Sequence, residues 1–166
     1  MGKVQNVFGY GSPGTVTRSV DNIIISVRNA SDGDIPFGAP VFMNDNGAES
    51  WNTVTQQEFP TFLGFAVNVR DKTPETYPRD QFNDPPRSAW HAGDLMEVLV
   101  RGCIALETSV SGAAGGRLYI RKADGRIVTS AGASGTTMLL ENVRIRNPRT
   151  GWTSCCEAIV NKRNVL

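Results

Sequence analysis

Apolar and polar residues alternate in short runs along most of this chain, and turn-forming residues interrupt the runs about every 8–12 positions. The pattern constrains the fold more than any other feature, because a period of two puts alternate side chains on opposite faces of a strand. In Asn22–Arg28, Ile23, Ile25 and Val27 share one face. In 61–70, Leu63, Phe65, Val67 and Val69 share one face and Gly64 and Ala66 the other, so something packs close to that second face. The longest run is 95–107, with Met96, Val98, Val100, Ile104 and Leu106 on one side and Glu97, Arg101, Cys103 and Glu107 on the other. Gly102 marks a bulge or close backbone contact within it.

The remaining segments agree. Pro36 and Pro40 restrict 35–43 to an edge or to short, interrupted pairing. Asn46-Gly47 is a hairpin signal that turns the chain toward 51–58. Ala123-Asp124-Gly125 closes a second hairpin, with Leu118 and Ile120 facing inward and Arg117, Tyr119 and Arg121 outward. Val143 and Ile145 oppose Arg144 and Arg146, and Cys156, Ala158 and Val160 share a face of the last strand. No window carries a ten-residue helix. About eight to ten short strands describe an all-β protein, an antiparallel β-barrel or jelly-roll-like sandwich.

Two stretches break the pattern. Residues 1–19 hold four glycines and a proline, with Phe8 and Tyr10 between the glycines, and read as an extended, flexible N-terminal arm. Residues 71–94 have no period and four prolines, yet Tyr77, Phe82 and Trp90 lie in or beside them. A loop of this length lies on the body or on a neighbour. The chain thus divides into an arm, 1–19, and a single β domain, 20–166, with a long loop at 71–94; its 166 residues suffice for one independent core.

Few residues suit catalysis. His91 is the one histidine, three residues before Asp94, and the sequence supplies no nucleophile or ligand set beside it. Asp32-Gly-Asp34 and Asn44-Asp-Asn-Gly47 lack the spacing and terminal Glu of a calcium loop. There is no phosphate loop and no nucleophile elbow. Cys103, Cys155 and Cys156 form neither a disulfide framework nor a metal pattern; with Cys155 and Cys156 on opposite faces, one is core and the other exposed or at an interface. We therefore expect no enzyme, cofactor or metal. No apolar run approaches a membrane span, and the first residues lack the apolar stretch of a secretory signal.

Charge is unevenly distributed. Residues 1–116 carry 8 basic and 13 acidic side chains, residues 117–166 carry 9 and 3, and 13 of the 17 basic residues are arginine. Arginine suits bidentate pairing with carboxylates at interfaces. Aromatics do not interleave with the arginines, so no nucleic-acid stripe is expected.

The segments Ile35-Pro-Phe-Gly-Ala-Pro-Val41, Phe62-Leu-Gly-Phe-Ala66, Ala92-Gly-Asp-Leu-Met-Glu-Val-Leu-Val-Arg-Gly102, Gly116-Arg-Leu-Tyr-Ile120 and Asp124-Gly-Arg-Ile-Val128 follow the arm in order. This ordered set resembles the capsid cement (decoration) proteins of tailed bacteriophages over roughly residues 20–165. The resemblance implies a viral structural protein made in the host cytoplasm. It would bind the outer surface of the virion capsid as a homodimer or homotrimer and bridge neighbouring major capsid protein subunits. Phe8 and Tyr10 would then anchor the arm, Tyr77, Phe82 and Trp90 would serve the loop interface, and Arg144, Arg146 and Arg149 would pair with acidic shell residues. The alternative class is a carbohydrate- or receptor-binding virion domain that stacks Trp51, Trp90 and Trp152 on sugars; a hydrolase on a jelly roll ranks third.

Overall fold

A computed structural model describes residues 11–18, 21–54, 60–69, 89–149 and 154–163. The described chain is almost entirely β, and its strands are β1 (Ile23–Arg28), β2 (Ile35–Pro36), β3 (Pro40–Asn44), β4 (Gly47–Ser50), β5 (Phe62–Ala66), β6 (Ala89–Trp90), β7 (Leu95–Glu107), β8 (Arg117–Arg121), β9 (Ile127–Val128), β10 (Thr137–Asn147) and β11 (Cys155–Val160). Eight of them form a curled antiparallel sheet in the order β4-β3-β5-β7-β11-β10-β8-β9, a half-barrel, and β1 adds to β7 off this path. β2 and β6 form a separate ladder, Ile35 opposite Trp90.

β7 organises the body. Its first half pairs with β1 and β5, and its second half with β11. The expected single apolar face of β7 is corrected here: Met96, Val98 and Val100 belong to one apolar cluster, and Leu99, Ile104 and Leu106 to another. The strand changes sides because Val100 is skipped in the β1 register, where Ile23 opposes Arg101 and Ile24 opposes Leu99. Gly102 follows with φ of +125°, and a Cβ there would collide with Asn22, so the glycine expected at a bulge is required by both backbone and space.

β5 holds a second irregularity. Val41 opposes Gly64 and Phe42 opposes Phe62, which leaves Leu63 as the extra residue. Phe62 and Phe65 therefore meet in one cluster, ring centroids 5.1 Å apart, while Leu63 joins the other; the face expected to hold Leu63 with Phe65 is split. β3 and β5 are apolar on both sides because both sides are covered.

Two further expectations shift. The first hairpin turns at Asp45-Asn46, with Gly47 already in β4. Trp51–Val54 is a helical turn, α1, instead of a returning strand. Ser50 precedes it with its hydroxyl 3.3 Å from Thr53 Oγ1, and Trp51 turns inward onto Phe42 at 5.5 Å. The thiol expected outside is also inside: Cys103, Cys155 and Cys156 are all buried, because β11 lies between β10 and β7 and both of its faces are covered there. Burial raises the Cys155 pKa and pushes Cys156 up to about 11, which makes both poor nucleophiles near neutral pH.

Candidate interaction surfaces

The structure absorbs part of the expected arm into the body. Val16 bridges Ile104, Gly14 N donates to Ala105 O at 2.8 Å, Thr17 N donates to Cys103 O at 3.1 Å, and Asn68 N donates to Gly14 O at 2.8 Å. Residues 14–17 thus run beside the second half of β7 as an added strand. Phe8 and Tyr10 lie outside the described residues, as do Tyr77, Phe82 and Trp152.

Glu157 fastens this segment. It projects from the outward side of β11 yet is 1% exposed. Its carboxylate accepts from Thr17 Oγ1 at 2.7 Å, from Arg18 Nε at 3.0 Å and from Asn147 Nδ2. Burial alone would raise its pKa; hydrogen bonds from Arg18, Thr17 and Asn147 outweigh burial and hold it below the ordinary 4.5. A depressed folded value means that the stabilisation is complete above the unfolded value, about pH 4.5, and is lost as pH falls through the folded one. Glu157→Gln is expected to cost about 1–2 kcal/mol at pH 7, below the range for breaking a fully buried pair because Arg18 is half exposed. The variant should also lose less stability than wild type between pH 5 and pH 3, which urea midpoints measure. An equal acid loss in both proteins would remove Glu157 from the account. Sequence reasoning missed this residue because its partners Thr17 and Arg18 are 140 and 139 positions away.

The other nominated residues fall in different places. Trp90 is a core side chain, 5% exposed. Its indole N–H donates to Val67 O at 3.0 Å, and its ring meets Phe37 edge-on at 6.0 Å. Arg149 turns back on its own chain and donates to Thr108 O at 3.0 Å and Ser109 O at 3.2 Å, satisfying carbonyls where β7 ends. Arg149→Ala should cost about 1 kcal/mol, read as a melting point lower by roughly 2–4 °C. No change would mean that these bonds contribute nothing net.

Arg144 and Arg146 stand on the outward face of β10. Arg117 of β8 is the cross-strand partner of Arg144, and Ile159 of β11 lies on its other side. Arg146 is exposed, with Nη1 donating to Cys103 Sγ at 3.5 Å. The structure thus joins Arg144 and Arg146 to Arg117, which sequence reasoning placed outward but did not nominate.

Two of the three tryptophans proposed for sugar stacking are buried, Trp51 at 7% and Trp90 at 5% exposure. Trp51 donates its indole N–H to Lys122 O at 3.1 Å. His91 Nδ1 lies 2.8 Å from Asp34 Oδ1, and its backbone N–H donates to Asp94, joining two loops at the start of β7. The end of the expected loop, 89–94, therefore belongs to the body. An apolar groove of about 250 Å³ beside β1 is floored by Leu63 and Val100, with Asp45 the one carboxylate among the described lining residues. Among the described residues there is no cluster of three or more metal-ligating side chains, and no helix is long and apolar enough to cross a membrane.

The described residues thus form a double-cored β-body whose polar side chains clamp its own segments and whose outward face gathers arginines. The chain belongs to a family of phage structural cement proteins (E217 gp24/Pam3 gp6), whose model matches residues 2–157. It is thus a bacteriophage structural protein associated with the capsid, in a family that is not one of enzymes. A chain from the capsid of Myoviridae phage XM1 superposes with a TM-score of 0.70 at 11% identity, over 97% of this chain and 96% of that one. The N base of head fiber gp8.5 of bacteriophage phi29 aligns over 87% of this chain and 99% of its own at 9% identity, with a TM-score of 0.41. No curated protein sequence matches the chain.

Proposed function

We propose that this protein binds the outside of a phage capsid and stabilises it by bridging neighbouring major capsid protein subunits, as a homodimer or homotrimer. The observation that carries the reading is membership in the cement family over nearly the whole chain. The physics is compatible. Two apolar clusters make up the body, and Glu157 fastens Thr17 and Arg18 to it. Phe8 and Tyr10 then act as arm anchors, and Tyr77 and Phe82 as contacts of the long loop. Repetition over the shell turns a modest contact into high avidity. Co-sedimentation with cement-free capsids tests this: binding should saturate at a symmetry-related copy number, and deleting residues 1–10 should weaken it. Wild-type protein left in the supernatant beside intact shells would refute the reading.

A further inference from the structure

We propose that the outward face of β8, β10 and β11, centred on Arg117 and Arg144, is the surface that meets the shell, and that it takes a carboxylate-rich patch of the shell protein. The inference rests on the capsid reading above and names the surface and the chemistry of its partner.

Arg117 and Arg144 are directly opposite across an antiparallel pair, an arrangement in which like charges repel. No carboxylate among the described residues pairs with either of them or with Arg146. Glu157, the acid nearest to them on β11, is buried and already taken by Arg18, Thr17 and Asn147. Beside the arginines, Ile159 remains partly exposed in the middle of the sheet. An apolar centre bordered by uncompensated guanidinium groups is the layout of a docking patch: Ile159 supplies area to bury, and the arginines supply planar forks for carboxylates. An anionic partner would also relieve the repulsion that the fold bears when alone.

Asp32, Asp45, Glu107 and Glu141 are exposed on this chain too, so self-association is one of the outcomes that the test separates. Membership in the cement family selects shell protein as the acidic partner.

The test compares R117E/R144E with K122E/R126E, which makes the same charge change on the β8–β9 hairpin, in co-sedimentation with cement-free capsids. Wild type and K122E/R126E are expected to bind alike, and R117E/R144E about tenfold more weakly, with the wild-type affinity falling as salt rises. The neutral R117Q/R144Q gives the same reading with less loss, and serves if the charge reversal fails to fold. Circular dichroism and melting confirm that the variants compared are folded. Equal binding by wild type and the folded Arg117/Arg144 variant overturns the inference and leaves the capsid reading standing. Wild type that does not sediment with shells overturns both. A changed solution mass of the variant with unchanged shell binding overturns the inference in favour of self-association. Retention of wild type but not the variant by double-stranded DNA, with shell binding equal, overturns it in favour of a nucleic-acid partner.

Discussion

Trp90→Ala is expected to cost the fold about 3–5 kcal/mol, the range for removing a buried aromatic. The ring is 5% exposed and lies against Phe37. Its removal opens a cavity in the cluster that also holds Ile35, Val41, Met96 and Val98. It also strips Val67 O of the indole donor, so a buried carbonyl is left without that bond. The same residue carries other attachments: Trp90 opposes Ile35 in the β2–β6 ladder, and Trp90 O accepts from Asn29 Nδ2 at 3.1 Å. Against a total stability of about 5–15 kcal/mol the loss is large, and the melting point should fall by roughly 10 °C. Trp90→Phe keeps most of the apolar volume and loses the N–H and part of the ring, so it should cost about 1–3 kcal/mol. Urea midpoints separate the two. A Trp90→Ala protein within about 1 kcal/mol of wild type would show that the ring is not core. Trp90→Phe should still sediment with capsids as wild type does, because a buried ring makes no direct contact with a shell.

Trp90 also shows where sequence reasoning reached and where it stopped. Alternation located β1, β5, β7, β8, β10 and β11, and its period survives in the burial of β1, β8 and β10, where one face is covered and the other is wet. It failed where both faces are covered: at Leu63 and Val100 a single extra residue moves the following side chains to the opposite cluster, and composition carries no mark of that slip. Arg144 and Arg146 were legible as outward because Val143 and Ile145 fix the parity of β10. Arg149 was not, since it lies beyond the strand, and only the fold brings Thr108 and Ser109 within its reach. Trp90 stands among prolines, glycines and charges, a context that marks a loop; its burial depends on Phe37 and Val67, which sit 53 and 23 positions earlier. Cys155 and Glu157 failed in the opposite direction. Alternation places Cys156, Ala158 and Val160 on one face of the last strand, which leaves Cys155 and Glu157 on the other, and that other side is covered too because β11 is interior to the sheet and residues 14–17 run along its neighbour β7. Long-range closure, not local pattern, decides those positions.

Gly64→Ala should cost about 3 kcal/mol, at the upper end of what overpacking does. A Cβ at this position would lie less than 3.0 Å from Leu99 O and 2.9 Å from Val98 Cγ1. The first of these atoms is backbone, so no rotamer change can make room. β5 and β7 must move apart, yet Phe65 and Ala66 pair with Leu99 and Val98 at this very point. The next strand on the other side, β3, is held by Val41 opposite Gly64, so β5 cannot simply retreat. The strain would reach both apolar clusters, because β7 contributes Met96, Val98 and Val100 to one and Leu99, Ile104 and Leu106 to the other. Gly33→Ala is the matched control: nothing lies within 4 Å of a Cβ there, and the change should stay within about 0.5 kcal/mol. Chemical denaturation of the two variants decides the matter. A Gly64→Ala protein as stable as Gly33→Ala would mean that β5 and β7 are not in the close contact described.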